Sequence, residues 1–149
     1  MEQQAAAGIP DAPGTADRVD VTPLAGEAYA AVTRGHRIVV DQPVDAGGRD
    51  SALTPVELFV ASLATCVAYY AGRYLTRHGY SRDGLAVSAG FTMAADRPAR
   101  VRDIRLTVRV PAGLPAERRP ALLAVARHCT VHNTLVSAPS VTIDLDRAG

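Results

Sequence analysis

The sequence contains no lysine: all 16 of its Lys/Arg-type residues are arginine. No amine side chain is therefore available for Schiff-base or general-base chemistry. An excess of one charge sign is missing too. Fifteen acidic residues leave a net charge of +1, too little to create a field that gathers nucleic acid or an anionic membrane. The opening stretch MEQQAAAGIPDAPGT lacks the basic start and apolar core of a secretory signal, and a disordered tail is expected over residues 1–17. The longest charge-free apolar run, residues 58–72, is shorter than the roughly 20 residues of a membrane helix. These absences lead to the expectation of a soluble, cytoplasmic chain with one domain over residues 18–149. Cysteine is scarce: there are two, 63 positions apart, and neither belongs to a C-x-x-C pair. In a reducing compartment they read as thiols, and the usual zinc-ligand spacing is missing.

What is present is a pattern of alternating elements. Residues 18–23 and 27–33 read as short strands around a turn at Ala25-Gly26, and HRIVVD (36–41) as a clearer strand. QPVDAGGRDSAL is a loop. Thr54-Pro55-Val56-Glu57 is a capping box that starts a long helix running to about Arg77, with His78-Gly79 as its stop. The middle of that helix is apolar on nearly every face, which predicts a central position. Strands follow over 85–95 and 101–110, then a helix over 115–128, a further helical turn over 130–137 and a last strand over 141–145. The order βββ-α-ββ-α-β predicts an α+β fold with a mostly antiparallel sheet.

Cys66 lies mid-helix, with Tyr69 and Tyr70 one turn on and Arg73 two turns on. Alone, it reads as a small buried hydrophobe; a guanidinium nearby would make it a stabilised thiolate. Glu57 precedes Cys66 by nine residues, half a turn round the helix and about 13.5 Å along it, so it caps the helix and reaches Cys66 only through a third group. Cys129, in RHCTVHNTL, lies where a helix begins, which tends to lower a thiol pKa, and His128 and His132 bracket it. A zinc set of His128, Cys129, His132 and Cys66 is disfavoured by spacing. A Cys-His hydrolase lacks an identifiable orienting residue and oxyanion loop. DAGGRD is a weak phosphate pattern.

Two segments together, VVDQPVDAGGRDSALTPVELFVASLATC and CTVHNTL, resemble the OsmC/Ohr family of thiol-dependent hydroperoxide reductases, and within it the OsmC-like branch. The resemblance spans about residues 20–146. It implies the OsmC-like fold, a tightly wrapped homodimer, no cofactor and no metal. It also implies roles: Cys66 as the thiol that attacks an organic hydroperoxide, Cys129 as the resolving thiol that forms a disulfide with it, and Glu57 as the residue that orients an arginine. That arginine is Arg34, Arg37 or Arg73. Tyr69, Tyr70 and His132 are pocket candidates, and an external dithiol, lipoyl-type in Ohr proteins, is the expected reductant. Neither nucleic acid nor membrane is an expected partner. Thr130 stands where the resembled segment carries proline, and loss of the fixed φ is expected to loosen the turn at Cys129. The competing class is a dimeric small-molecule-binding protein on the same fold, without turnover.

Overall fold

Residues 17–146 are described by the computed structural model; the expected tail lies outside them except for Asp17. The chain divides into two compact units at Pro55.

The first unit is a three-stranded antiparallel meander. It consists of β1 (Asp20–Pro23), β2 (Tyr29–Thr33) and β3 (His36–Val40), in the order β1-β2-β3. Arg34 and Gly35 form the two-residue connection between β2 and β3, both with positive φ (49° and 78°), the twist-compatible geometry of tight hairpins. Ala28 and Ala30 are buried. Val21, Ala31 and Ile38 lie in one register row, where Val21 and Ile38 are exposed.

The loop after β3 is held by one carboxylate. Asp41, 1% exposed, accepts hydrogen bonds from the backbone N–H groups of Gln42, Arg49 and Ser51 and from the Ser51 hydroxyl, at 2.7–3.2 Å. The Ser51 hydroxyl is the largest cause of an Asp41 pKa lowered to about 2. A Cβ on Gly48 would fall 1.8 Å from the Gln42 carbonyl oxygen, so this position admits no side chain. The two glycines of DAGGRD therefore serve a closed turn.

The long helix α1 (Pro55–Arg77) has the expected limits. Its end is a Schellman motif. Tyr80 N–H donates to the Leu75 carbonyl, Gly79 N–H donates to Thr76, and Gly79 takes φ +77°. Leu63, Val67, Ala71, Tyr74 and Leu75 recur at three- and four-residue steps and form a buried stripe. The expectation of an all-round central helix is corrected: Tyr69 is exposed on another face, and Phe59, one turn before Leu63, is exposed at the start of the stripe. Among the described residues α1 is also the one helix long and apolar enough, by length and composition, to cross a bilayer. The sequence count missed this because it stopped at the first charged residue at either end. Its stripe belongs to the core of the second unit.

That core is completed by Leu114, by α2 (Arg119–Arg127) through Leu122 and Ala126, and by Cys129. A fully buried leucine contributes about 1.5–3 kcal/mol; Leu75, Leu114 and Leu122 are each at most 1% exposed. The expected helix over 115–128 begins as a 3₁₀ turn, Ala116–Arg118. The helical turn after Cys129 is a helix in its own right, α3 (Thr130–Val136). An antiparallel ribbon, β4 (Ala86–Met93) with β5 (Val101–Arg109), carries a bulge: Thr92 pairs with Asp103 but Met93 with Val101. The extra residue, Arg102, shifts the alternation by one, which is why the faces of β5 look mixed in sequence. The expected strand over 141–145 is not formed. Val141, Ile143 and Leu145 are exposed and pair with no strand among the described residues, and a strand without an edge to pair with has no ladder to hold it.

Candidate functional site

The two cysteines meet. Cys66, on α1, is partly buried and packs against the cluster that contains Cys129, which is fully buried. Burial is the main force on the Cys129 thiol and pushes its pKa up. The backbone N–H of His132 opposes this, and the neighbouring side chain of Cys66 pushes it up again. The net direction is upward, so the lowering expected from the helix start is outweighed by desolvation.

Cys129 is nevertheless the N-cap of α3. It has extended backbone angles, and its sulfur accepts from His132 N–H at 3.4 Å. This fixes the Sγ direction through a local bond. A second bond ties α3 to α1: the Tyr70 and Thr130 hydroxyl oxygens are 3.0 Å apart. Tyr70 lies one turn beyond Cys66 and Thr130 follows Cys129, so the pair spans the two thiol-bearing helices beside the sulfurs. Thr130 thus replaces the ring restraint of a proline with a side-chain tether, which sequence spacing did not reveal.

The remaining expected residues are placed as follows. Arg73 donates to the Tyr69 hydroxyl at 3.2 Å, with its guanidinium carbon 5.5 Å from the Tyr69 ring centroid. Arg34 and Arg37 are exposed on the hairpin of the first unit. Glu57 is exposed in the first turn of α1, and the unbroken helix keeps it about 13.5 Å along the axis from Cys66. His132 has a buried Nδ1 without a hydrogen-bond partner among the described residues, whereas His128 is exposed. No three His, Cys, Asp or Glu side chains converge as a metal set among the described residues.

What this arrangement can do is thiol chemistry: one accessible sulfur and one shielded sulfur, adjacent, beside an apolar wall. The family model for OsmC-like protein matches residues 48–144, which contain both cysteines. Among solved structures, a protein of Psychrobacter arcticus, provisionally named for osmotic stress induction and detoxification response, shares 23% identity at TM-score 0.73, over 85% of this chain and 91% of its own. An organic hydroperoxide resistance protein OsmC of Legionella pneumophila shares 18% at TM-score 0.57, over 82% and 91%. A provisionally named organic hydroperoxide resistance protein of Vibrio cholerae, solved with captopril in one of its active sites, shares 18% at TM-score 0.63, over 85% and 89%. These likenesses describe the fold. No curated protein matches the sequence.

Proposed function

Because this chain belongs to the OsmC-like protein family, we propose that it is a cysteine-based peroxidase that reduces organic hydroperoxides to alcohols. The observation that carries the reading is the adjacency of a partly exposed Cys66 and a buried Cys129. The Cys66 thiolate attacks the distal oxygen of R–OOH. The O–O bond breaks, the alkoxide takes a proton and leaves as the alcohol, and Cys66 becomes a sulfenic acid. The Cys129 sulfur then attacks the Cys66 sulfur, and the S–O bond breaks with loss of water. The resulting disulfide is returned to two thiols by an external dithiol, lipoyl-type by resemblance, which is itself oxidised to a disulfide.

The order of roles follows from access. Cys66 is open enough to meet a substrate, whereas burial shields Cys129 and raises its pKa, which suits a thiol that reacts only with its neighbour. Glu57 caps α1 and acts on the site by orienting an arginine, and Arg73 on the same helix is one candidate. The working unit is a homodimer in the cytoplasm. Support for a second copy comes from the exposed Val21, Tyr29 and Ile38 on one face of the β1-β2-β3 sheet.

The experiment is consumption of cumene hydroperoxide with a dithiol reductant, together with a thiol count after one equivalent of peroxide. Wild type should turn over and lose both thiols within one chain, and Cys66→Ser should do neither. Equal, slow consumption by wild type and Cys66→Ser would sink the proposal. A binding protein without turnover remains the second reading, favoured by the cavity beside Tyr69; a small molecule retained in native mass spectrometry, with no peroxide consumption, would select it.

A further inference from the structure

Reduction of a hydroperoxide leaves one proton to be supplied. When the Cys66 thiolate takes the distal oxygen, the other oxygen departs as an alkoxide. A strongly basic group of this kind departs faster when a positioned acid protonates it as the O–O bond breaks. Such an acid must stand beside Cys66 and carry a proton that is not already donated.

Tyr69 meets both conditions. It lies three residues beyond Cys66 on α1, a spacing that sets the two Cβ atoms about 5–6 Å apart on one helix surface. Side chains on a helix lean toward its N-terminus, which directs Tyr69 back over the turn that carries Cys66. Two contacts hold its ring. Tyr70 stands edge-on to it, with ring centroids 5.7 Å apart and planes at 82°, and Tyr70 is itself tied to Thr130 beside the sulfurs. The Arg73 guanidinium carbon lies 5.5 Å from the Tyr69 ring centroid.

The polarity of the Arg73 contact decides what the hydroxyl can do. Arg73 donates to the Tyr69 hydroxyl oxygen at 3.2 Å. A guanidinium has donors and no acceptor, so this bond leaves the phenol proton unused, and that proton has no acceptor among the described residues. If the proton is given away, the same contact becomes a guanidinium–phenolate pair. The contact therefore strengthens as the proton moves, and an interaction stronger in the transition state than in the ground state lowers the barrier.

We propose that Tyr69 is the general acid of peroxide reduction: its hydroxyl protonates the leaving alkoxide, and Arg73 holds the phenolate that results. This rests on the peroxidase reading and deepens it by naming the source of the proton. Two electrons pass from the Cys66 sulfur into the breaking O–O bond. Sulfur gains the distal O–H as a sulfenic acid, and the other oxygen leaves as the alcohol with the Tyr69 proton. The proton lost when Cys66 forms its thiolate goes to solvent, and solvent returns one to Tyr69, which is 57% exposed.

The test compares two oxidants whose leaving groups differ in basicity. Cumene hydroperoxide releases an alkoxide that needs a proton; peracetic acid releases acetate, which does not. Rapid quenching with a maleimide counts the Cys66 thiol that remains. Tyr69→Phe, which removes the hydroxyl and keeps the ring, should slow the reaction with cumene hydroperoxide about a hundredfold, within the range of a positioned general acid. Its reaction with peracetic acid should stay near the wild-type rate. In heavy water, wild type should slow more with cumene hydroperoxide than with peracetic acid, and Tyr69→Phe should lose that difference. A purely structural role would slow both oxidants alike. Equal loss with both, or loss with neither, would overturn the acid assignment and leave the peroxidase reading. Wild type that does not react with cumene hydroperoxide would overturn the peroxidase reading and the acid assignment with it.

Discussion

The Tyr70 and Thr130 hydroxyl oxygens stand 3.0 Å apart and join α1 to α3 beside the two thiols. A hydrogen bond of this kind is worth about 0.5–1.5 kcal/mol net, small against the fold but enough to alter how often two sulfurs align. Tyr70→Phe and Thr130→Val should slow closure of the Cys66-Cys129 disulfide by about two- to tenfold. The peroxide-dependent loss of the Cys66 thiol should change little, and Thr130→Ser should retain the wild-type rate. Stopped-flow kinetics with a sulfenate trap separate the two steps. A uniform slowing of both would assign the pair a purely structural role.

The contrast in access between the cysteines predicts an order of modification. Pulse labelling of the reduced protein with a maleimide should tag Cys66 well before Cys129, since burial shields Cys129 and raises its pKa. In Cys129→Ser, one equivalent of peroxide should leave a sulfenic acid on Cys66 that a cyclic dione captures. Peptide mapping reads both results; equal labelling of the two thiols would contradict the assigned roles.

Asp41 gives the first unit a defined acid sensitivity. Its folded pKa, about 2, lies below the ordinary 3.8. Above 3.8 the carboxylate is ionised in both states and its stabilisation is fully present. Between 3.8 and 2 the unfolded chain binds the proton first, so stability falls with pH and the contribution is gone below 2. Urea midpoints measured across this range should decline for wild type, and the decline should be shallower in Asp41→Asn, which should also be less stable at neutral pH. Parallel pH profiles for the two proteins would remove Asp41 as the cause.

Gly48 is the other point where this loop tolerates no change. With the Gln42 carbonyl oxygen only 1.8 Å from where a Cβ would stand, Gly48→Ala forces the backbone apart. A loss of about 1–3 kcal/mol is expected, the range of overpacking a tight site. Thermal unfolding measures it, and an unchanged midpoint would show that the loop opens freely.

Much of the fold was readable from local rules. The capping box and the His78-Gly79 stop placed the start of α1 and its approximate end, because both ends are encoded by neighbours within one turn. The strands read over 27–33 and 36–41 were also local, whereas the tight Arg34-Gly35 connection between them was not read from the sequence. The reading of β5 was blurred by a bulge, since an extra residue is visible only once the partner strand supplies the register. The last expected strand failed for the same reason in stronger form: Val141, Ile143 and Leu145 alternate well, but alternation provides no partner.

The site divides along the same line. Residue type and the two paired segments singled out Cys66 and Cys129 and their family, since those signals lie in the order of the chain. Their adjacency, the upward push on the Cys129 pKa and the Tyr70–Thr130 tether arise from packing α1 against the elements around Cys129, 63 positions away. The approach of the Arg82 stem to Gly72 depends likewise on the segment after α1 folding back over that helix. Helix starts and stops are set by bonds between near neighbours, so sequence can specify them. Desolvation and contacts between distant segments exist only after the core has closed.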